Sequence, residues 1–492
     1  MSLVEALVET LERNADAVAV VDHERRLTYA ELDRLSTEVA GGLSRHGVAR
    51  GDVLCVYSSR NWWRCAALLG AWRIGATVLG IDPGQPDERV RKILVGAGAS
   101  LLVRGDEAPE VSLGVPEVTF AGLRGDSHGD VTGGDLLYVI PTSGTTGDPK
   151  CVAVPPVVMA NLGGWVAQRW QYDVPPHTLH AASVEFDVVY EEMVATWLAG
   201  ASLVVVDDQE RRDPFELIPI IRANQVARLF VPVATLHALA MVAAVDDAEL
   251  PALREIVTAG EQLVINEEVR SFCAGRDVAL INEYGPSETA VVTAYRLTGD
   301  PGTWPDRPPI GGAVAGAELF GLIDGRLRPF EPGEVGELVV AGECVALGYL
   351  GDDDLTSRKF RALAPRDGHQ RRCYLTGDLV RFDGQWLHFL SRVDGQLKVR
   401  GYRVEPGEIE AVLHRVRGVR VAAVVGIRRS GTVRLVAYYV REQQTAVTEE
   451  ALRAACAGAL PEYMVPDQFV ELPDLPLTGN GKVDRKELGA MV

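Results

Sequence analysis

One stretch of the sequence combines hydroxyl, glycine and lysine residues at a spacing that suits phosphate chemistry. Residues 138–150 are Tyr-Val-Ile-Pro-Thr-Ser-Gly-Thr-Thr-Gly-Asp-Pro-Lys. Glycine lets backbone N–H groups approach an anion closely, hydroxyls donate hydrogen bonds, and lysine supplies a positive charge. The spacing is not that of a P-loop, because Asp148 and Pro149 separate Gly147 from Lys150. A polar turn between strands would explain any short part of this run, whereas the whole run favours a phosphate-binding loop.

Further polar motifs follow this loop in a defined order along nearly the whole chain. They are Phe186-Asp187, Asn282-Glu283-Tyr284-Gly285-Pro286-Ser287-Glu288, Gly336-Glu337-Leu338, Tyr374-Leu375-Thr376-Gly377-Asp378, the run at 391–401 that begins Ser391-Arg392-Val393-Asp394, and Asn480-Gly481-Lys482. Each motif alone is moderate evidence, but their order and spacing together are strong. On these motifs the chain resembles the adenylation domains of nonribosomal peptide synthetases, within the acyl-adenylate-forming superfamily.

The resemblance implies a reaction in which a substrate carboxylate attacks the α-phosphorus of ATP and pyrophosphate leaves. A carboxylate is already ionised at neutral pH, so this step needs no general base. The protein must instead position two anions and offset their charge. This requirement explains why the motifs contain no Ser-His-Asp set. The cofactors implied are ATP and Mg²⁺.

The same resemblance assigns ATP-binding roles to individual residues. The phosphate cradle is expected to comprise Thr142, Ser143, Gly144, Thr145, Thr146, Gly147 and Lys150. Tyr284 is expected to stack on adenine opposite the loop with Gly260 and Glu261, and Asp378 to accept both ribose hydroxyls. The rest of the predicted ATP site is Asn282, Gly285, Ser287, Phe389 and Arg392. Glu288 is the expected Mg²⁺ ligand, since that ion prefers hard oxygen donors.

A lysine near the C-terminus is implied to complete the catalytic set, which is Lys482, Glu288 and Lys150. The resemblance makes Lys482 bridge the substrate carboxylate and the nucleotide. It makes Asp394 the hinge about which a small domain rotates after adenylation, removing Lys482 and admitting a phosphopantetheine thiol. The chain ends ten residues after Lys482, so we expect a separate peptidyl carrier protein as acceptor. Some members of this group also need a small activator protein.

The substrate pocket is the most individual part of the sequence. Asp187 matches the position that binds the substrate ammonium in members that select amino acids. The other matching positions are Val188, Glu191, Phe230, Val257, Ala259, Glu283, Val291 and Val292, with Lys482. If Glu191 and Glu283 both face the cavity, a cation on the substrate would offset their burial. This predicts a basic or diamino side chain.

Two alternatives to a basic substrate stay open. Glu191 or Glu283 would not face a substrate cation if either pointed outward or paired with a protein cation. Without the glutamates the pocket resembles those that select proline, so a proline-like, cyclic or β-amino acid is the second expectation. The sequence does not decide whether Asp187 meets an α- or a β-ammonium.

Two other functions compete with amino-acid activation. The first is an acyl- or aryl-CoA ligase, against which Asp187 argues. The second is a catalytically inactive nucleotide-binding protein. Intact Lys150, Glu288, Asp378 and Lys482 argue against that interpretation.

Composition restricts the class of protein. A chain of 492 residues exceeds one ordinary core, so at least two domains are expected. Its 49 basic and 68 acidic residues give a net charge of −19, which argues against sequence-independent binding to nucleic acid or anionic membranes. Seven cysteines without a CxxC pair favour reduced thiols and a cytoplasmic location. Neither a signal peptide nor a membrane-spanning window is evident.

The elements that must position these residues follow from periodicity. Strands alternating with helices to about residue 295 predict an α/β fold with largely parallel sheets. Shorter, glycine-punctuated strands beyond Gly302 predict a small, barrel-like antiparallel portion, and the last hundred residues predict a small α+β domain. We therefore expect a core of residues 1–392 with both substrate sites and a mobile lid of residues 393–492. Residues 105–135 are expected to be surface connections.

Overall fold

A computed structural model gives the fold of the chain. It describes residues 1–23, 25–106, 108–109, 112–123, 131–144, 148–170, 177–245, 249–365, 368–393, 396–429, 432–442, 445–476 and 483–491. Five of the predicted site residues lie outside the described residues, and their roles remain predictions. They are Thr145, Thr146, Gly147, Asp394 and Lys482.

Backbone contacts divide the chain into two compact units. The larger unit comprises Met1–Pro83, Ala97–Ile140 and Cys151–Val393. The smaller unit comprises Gly84–Gly96, Pro141–Lys150 and Asp394–Val492, so it includes the phosphate loop. The domain division at residue 392 remains a prediction, because these units group contacts and do not define independently folding segments.

Fourteen α-helices are present among the described residues. They are α1 (Leu3–Arg13), α2 (Tyr29–Arg45), α3 (Trp62–Arg73), α4 (Asp87–Ala97), α5 (Phe120–Leu123), α6 (Pro156–Arg169), α7 (Val188–Leu198), α8 (Pro214–Ala223), α9 (Val233–Val245), α10 (Glu267–Cys273), α11 (Asp353–Lys359), α12 (Pro406–Leu413), α13 (Glu449–Ala459) and α14 (Arg485–Gly489). None of the helices in the described part of the chain has the length and apolar character needed to span a bilayer.

The described strands form five sheets. In chain order they are β1 (Val18–Asp22), β2 (Arg25–Thr28), β3 (Val53–Tyr57), β4 (Thr77–Ile81), β5 (Ala99–Arg104), β6 (Glu117–Thr119), β7 (Tyr138–Thr142), β8 (Lys150–Val154), β9 (His177–His180), β10 (Leu203–Val205), β11 (Val226–Phe230), β12 (Glu255–Thr258), β13 (Ala279–Tyr284), β14 (Thr293–Leu297), β15 (Gly312–Ala313), β16 (Ala317–Ile323), β17 (Arg326–Arg328), β18 (Val335–Gly342), β19 (Gly348–Tyr349), β20 (Phe360–Leu363), β21 (Arg371–Phe382), β22 (Leu387–Arg392), β23 (Leu397–Val399), β24 (Tyr402–Val404), β25 (Val419–Arg429), β26 (Thr432–Arg441) and β27 (Gln468–Glu471).

Sheet topology confirms the predicted fold class. The largest sheet has the order β15-β14-β13-β12-β11-β9-β10-β1-β2, and its strands from β13 to β1 are parallel. A second sheet has the order β19-β8-β7-β4-β3-β5-β6. The predicted antiparallel portion is the sheet β17-β16-β18-β21-β20, with β22 paired to β21. In the C-terminal residues, β23 pairs with β24, and β25, β26 and β27 form one sheet.

The start of α2 shows how local sequence specifies an element. Thr28 is followed by Glu31 three residues later, which predicts a capping box. The Glu31 N–H donates to Thr28 Oγ1 at 3.2 Å, and the Thr28 N–H donates to the Glu31 carboxylate at 2.8 Å. The helical periodicity that follows places four buried leucine and valine side chains on the core face, namely Leu32, Leu35, Val39 and Leu43. The structure therefore confirms both the predicted capping box and the predicted core face of α2.

The expectation of surface connections over residues 105–135 is wrong in part. This region contains β6 and α5. The ring of Phe120 packs 4.9 Å from that of Trp63 and 5.6 Å from that of Trp62. Gly42 permits the close approach of α5, because a Cβ there would lie 1.7 Å from the Leu123 carbonyl oxygen. These contacts join segments remote in sequence, so the weak local periodicity did not indicate them.

The cysteines agree with the expectation of reduced thiols. All seven are free and buried. Burial alone raises the pKa of the Cys151 thiol to about 12, so this thiol is protonated at neutral pH. A cytoplasmic location remains a prediction.

Candidate active site

The predicted ammonium-binding carboxylate lies at the start of α7. Asp187 is the N-cap of this helix, and its Oδ1 accepts a hydrogen bond from the Val188 N–H at 3.0 Å. The positive end of the helix dipole stabilises a negative charge at this position. The Glu191 N–H donates to the Asp187 carbonyl at 3.3 Å, so the two acidic residues follow each other by one helical turn. The sequence pattern predicts a helix from Tyr190 to Leu198, and α7 begins two residues earlier because Asp187 caps it.

An apolar surface accompanies this carboxylate. Phe230 on β11 pairs in register with Val257 on β12, which in turn pairs with Ile281 on β13. These side chains form one buried cluster, and Val188 packs against it. The structure therefore brings together three predicted pocket residues, Val188, Phe230 and Val257. Strand register, and not proximity in sequence, assembles this surface.

The remaining apolar positions of the predicted pocket lie elsewhere in the larger unit. Val291 and Val292 are buried in its largest hydrophobic cluster, which also contains Tyr284. Ala259 is half-buried and follows the end of β12. Their part in substrate binding remains a prediction.

A buried charge network adjoins the apolar cluster on the same sheet. We call it the glutamate–arginine network; its members are Glu191, Glu255, Glu283, Arg169, Arg228 and Arg296. Arg228 lies 3.4 Å from Glu191 and 3.3 Å from Glu255. Arg169 lies 3.5 Å from Glu283 and 3.6 Å from Glu255, and Arg296 lies 2.8 Å from Glu255. Each glutamate therefore has at least one guanidinium partner.

This pairing overturns the premise of the basic-substrate prediction. That prediction required Glu191 and Glu283 to face the cavity without a protein cation. Instead, Arg228 pairs with Glu191 and Arg169 pairs with Glu283. The physical reason is tertiary, because the partners come from β11 and from the end of α6. The sequence pattern showed the acidic residues but not their counter-ions.

Period-two alternation could have identified part of this network. Arg228 precedes Phe230 by two residues on β11, so both side chains point to the same face. Glu255 precedes Val257 in the same way on β12. Including the residue two positions before Phe230 and the residue two positions before Val257 would therefore have added a buried arginine and a buried glutamate to the predicted pocket. No comparable signal pointed to Arg169.

Protonation in the network follows from its geometry. Burial and the neighbouring Glu283 raise the pKa of Glu191 well above its usual range, although Arg228 and Arg169 oppose this shift. Burial also opposes ionisation of Glu255, yet Arg228, Arg169 and Arg296 hold the pKa of Glu255 below its usual value. The pKa is lowered only at Glu255 among the three glutamates of the network, since those of Glu191 and Glu283 are raised by burial. The Glu255 Oε2 also accepts a hydrogen bond from the Trp170 indole N–H at 3.0 Å.

Three predicted ATP-binding residues meet at the end of β13. The Tyr284 hydroxyl donates to Asp378 Oδ2 at 2.5 Å. Arg392 donates from Nη1 to Asp378 Oδ1 at 2.8 Å and from Nη2 to the Thr376 carbonyl at 3.1 Å. Pairing of β21 with β22 places Asp378 opposite Arg392. Each carboxylate oxygen has about two acceptor positions, so both retain capacity for a ribose hydroxyl.

The other residues of the predicted adenosine site have identifiable local roles. Asn282 donates from its side chain to the Pro309 carbonyl at 2.8 Å. A side chain at position 285 would clash, because a Cβ on Gly285 would lie 1.7 Å from the Ala290 carbonyl oxygen. Gly260 has a φ of +84°, a conformation that favours glycine. The side chains of Glu261, Ser287 and Phe389 are half-buried. Their roles toward ATP remain predictions.

The predicted metal ligand is fully buried. Glu288 has 0% exposure, and its Oε1 accepts a hydrogen bond from the Tyr349 hydroxyl at 2.6 Å. Tyr349 lies 61 residues further along the chain, and none of the sequence motifs indicated it. A buried carboxylate oriented by a phenol fits the hard-oxygen preference of Mg²⁺. The residues present therefore suit that ion.

The described part of the phosphate loop belongs to the smaller unit, and its donor groups contact oxygen atoms of the same unit. The Gly144 N–H donates to Glu408 Oε2 at 3.2 Å, and the Ser143 hydroxyl donates to the Arg403 carbonyl at 2.9 Å. Lys150 Nζ lies 3.6 Å from Glu405 Oε1. Thr142 Oγ1 is buried and has no hydrogen-bond partner among the described residues. The loop thus already presents its backbone and its lysine to carboxylate oxygens, which are anionic acceptors like those of phosphate.

Comparison with known families shows the family to which the chain belongs. A family model described as AMP-binding enzyme matches residues 7–350, and one described as AMP-binding enzyme C-terminal domain matches residues 408–482. The chain belongs to the AMP-binding enzyme family. AMP-binding enzymes use ATP. The two matched segments contain the motifs up to Gly336-Glu337-Leu338 and the motif that ends at Lys482, whereas the motifs at 374–378 and 391–401 lie between them.

Individual relatives of this AMP-binding enzyme confirm the resemblance to adenylation modules. Tyrocidine synthase 2 of Brevibacillus parabrevis is 35% identical over 490 residues, which cover 97% of this chain and 13% of that protein. Holo-PA1221, a nonribosomal peptide synthetase protein with adenylation and PCP domains, has a TM-score of 0.86 at 26% identity, covering 99% and 84% of the two chains. A four-domain nonribosomal peptide synthetase, holo-AB3403, was solved with AMP and glycine; its TM-score is 0.69 at 27% identity, covering 99% and 36%. The chain spans only about an eighth of the curated relative's length.

Proposed function

We propose that this AMP-binding enzyme activates an amino acid as aminoacyl-AMP and transfers it to the phosphopantetheine thiol of a carrier protein. The observation that carries the proposal is Asp187, a carboxylate placed at a helix N-terminus beside an apolar cluster. A substrate ammonium is the natural partner of such a carboxylate. The relatives support the proposal, since AB3403 was solved with glycine and AMP and PA1221 contains a PCP domain.

Five of the described site residues have defined parts in this reaction. A substrate carboxylate oxygen bonds to the α-phosphorus while the bond to pyrophosphate breaks. Ser143, Gly144 and Lys150 donate to phosphate oxygens, whereas Asp378 accepts from the ribose. Glu288 would hold Mg²⁺, which supplies positive charge to the phosphates when bound. The roles of Lys482 as the bridging lysine and of Asp394 as the hinge rest on the family resemblance alone.

Charge balance supports an uncharged substrate side chain. The glutamate–arginine network contains three carboxylates and three guanidinium groups, so it has no surplus negative charge when all are ionised. Asp187 balances one substrate ammonium, and no further carboxylate among the described pocket residues is left to pair with a second cation. We therefore propose a neutral side chain, the proline-like class of the sequence analysis, in place of a basic one.

The first prediction concerns substrate preference in ATP–pyrophosphate exchange. Neutral cyclic and aliphatic amino acids, including proline, are expected to exceed ornithine, lysine and 2,3-diaminopropionate by at least about tenfold in kcat/KM, because an unpaired buried cation is costly. Exchange across a panel that also includes β-amino acids measures this ratio. A preference for the basic amino acids would instead restore the diamino-acid hypothesis.

The same panel separates the competing functions. Exchange driven by acyl or aryl acids, with transfer to coenzyme A and not to a holo carrier protein, would identify a CoA ligase. ATP binding without exchange for any acid would identify an inactive nucleotide-binding protein. An apo carrier protein, which lacks the thiol, is the matched control for transfer to holo carrier protein.

A second prediction tests the metal site. Glu288→Gln is expected to raise the Mg²⁺ concentration needed for half-maximal exchange by more than tenfold, because it removes a charged oxygen ligand. Tyr349→Phe leaves the carboxylate in place and removes only its hydrogen-bond donor, so a smaller rise, of about tenfold or less, is expected. Magnesium titrations of exchange at saturating ATP measure both. Identical titration curves for Glu288→Gln and the unsubstituted enzyme would contradict the assignment.

A further inference from the structure

The least solvent-exposed arginine of the glutamate–arginine network is Arg228, with 1% of its side chain exposed. Its guanidinium carbon lies 3.9 Å from the ring centroid of Phe230, a pocket residue, and 4.6 Å from that of Trp170. The same group is 3.4 Å from Glu191, the pocket carboxylate on α7. Arg228 therefore joins the apolar pocket surface to the acidic residue that would otherwise face the substrate.

Arg169 relates to the second pocket carboxylate in the same way. Its Nη1 lies 3.5 Å from Glu283, and its guanidinium carbon lies 4.3 Å from the ring centroid of Trp165. Both arginines thus combine a carboxylate partner with an aromatic ring, an arrangement that also binds cationic ligands. Neither arginine was among the residues that the family resemblance assigned to the pocket.

The hydrogen bonding of Arg228 argues against a purely structural role. Its Nη1 is buried and has no hydrogen-bond partner among the described residues, whereas its Nε lies 3.3 Å from Glu255 in an ion pair. Unpaired buried donors destabilise the folded state, and a buried ion pair is seldom more stabilising than an apolar replacement. Packing alone therefore does not explain a buried arginine at position 228.

We propose that Arg228 and Arg169 determine substrate specificity by supplying, from the protein, the cations that Glu191 and Glu283 would otherwise take from a basic substrate. This inference rests on the proposed amino-acid activation and deepens it. The two guanidinium groups close the pocket to lysine-like and ornithine-like side chains. Their removal creates an unpaired carboxylate, and a substrate cation then becomes the favourable partner.

Substitution of Arg228 tests the proposal. In Arg228→Gln, Glu255 keeps Arg169 and Arg296, whereas Glu191 loses the guanidinium that lies 3.4 Å away. The ratio of kcat/KM for ornithine to that for the best neutral amino acid is expected to rise at least about tenfold in exchange assays. Arg169→Gln should act in the same direction through Glu283.

Arg296→Gln is the matched control. It removes the same charge from the same network, but Arg296 is 43% exposed and pairs with Glu255. The ratio of basic to neutral substrates should therefore stay within about twofold of the unsubstituted enzyme, since water screens an exposed charge. A rise equal to that of Arg228→Gln would show that any loss of positive charge relaxes specificity, and would overturn the assignment to Arg228.

Two further measurements separate specificity from folding. The double variant Glu191→Gln with Arg228→Gln removes one charge of each sign, so it should recover exchange with neutral amino acids and lose the gain for ornithine. Guanidinium ions added to Arg228→Ala should restore neutral-substrate exchange and suppress ornithine exchange. If Arg228→Gln loses all exchange, failure of both measurements overturns the proposal, whereas recovery in either supports it.

The outcomes distinguish this inference from the function on which it rests. No exchange by the unsubstituted enzyme with any amino acid contradicts amino-acid activation itself. Exchange with neutral amino acids that shows no shift toward ornithine in Arg228→Gln or Arg169→Gln contradicts only the specificity role. A preference of the unsubstituted enzyme for ornithine also overturns that role.

Discussion

Asp187→Asn is expected to raise the KM for the amino acid on the order of 100-fold in exchange assays while leaving the KM for ATP within about twofold. Removing one partner of a close charge pair costs about 2–5 kcal/mol, and 1.4 kcal/mol corresponds to about tenfold in affinity. The residue lies at the N-terminus of α7, where the helix dipole favours its negative charge. The loss should therefore fall on the substrate ammonium and not on the nucleotide.

Asparagine separates the charge of Asp187 from its structural role. The Asp187 carboxylate accepts a hydrogen bond from the Val188 N–H, and asparagine is an equally good N-cap. Thermal stability should therefore change little, whereas Asp187→Ala would lose about 1 kcal/mol of capping as well. Asp213 caps α8 by accepting from the Phe215 N–H, so Asp213→Asn is the matched control with no expected change in either KM. An unaltered amino-acid KM in Asp187→Asn would contradict the ammonium role.

Asp378→Asn is expected to raise the KM for ATP at least about tenfold and to lower the melting temperature. The Asp378 carboxylate accepts from both Tyr284 and Arg392 in a buried setting. An amide has one acceptor oxygen and one donor nitrogen, so the nitrogen must face a guanidinium or a hydroxyl. A buried donor left unpaired costs about 1–3 kcal/mol. Exchange at varied ATP and thermal denaturation measure the two effects.

Tyr284→Phe tests whether the hydroxyl of Tyr284 contributes to ATP binding apart from its aromatic ring. It removes the hydroxyl that donates to Asp378 and keeps the aromatic ring for adenine. The stability loss should be about 1 kcal/mol, the usual contribution of one hydrogen bond, and the ATP KM should rise less than in Asp378→Asn. If Asp378→Asn bound ATP as tightly as the unsubstituted enzyme, the ribose role would be excluded.

The local elements near the pocket were largely predictable. Helical patterns predict a helix over 157–170 and another from Tyr190 to Leu198, which correspond to α6 and to most of α7. These features depend on residues within one or two turns of each other, so a linear pattern carries them. The predicted start at Tyr190 is two residues later than the observed start at Val188, because the helical pattern does not mark the N-cap Asp187.

The sequence by itself determined the family and the chemistry. The ordered motifs supply hydroxyls, glycines, carboxylates and lysines of the types that adenylate formation needs, and family membership follows from them. These are properties of residue identity and spacing along the chain. They do not require knowledge of which side chains meet in space.

Only the tertiary structure decided how the pocket charges are balanced. Glu191 meets Arg228 across 37 residues, and Glu283 meets Arg169 across 114 residues. Such pairs depend on the register of β11 with β12 and on where α6 ends, which no local pattern specifies. The two glutamates were therefore visible in the sequence, but their arginine partners were not, and these partners are the basis of the proposed preference for a neutral substrate.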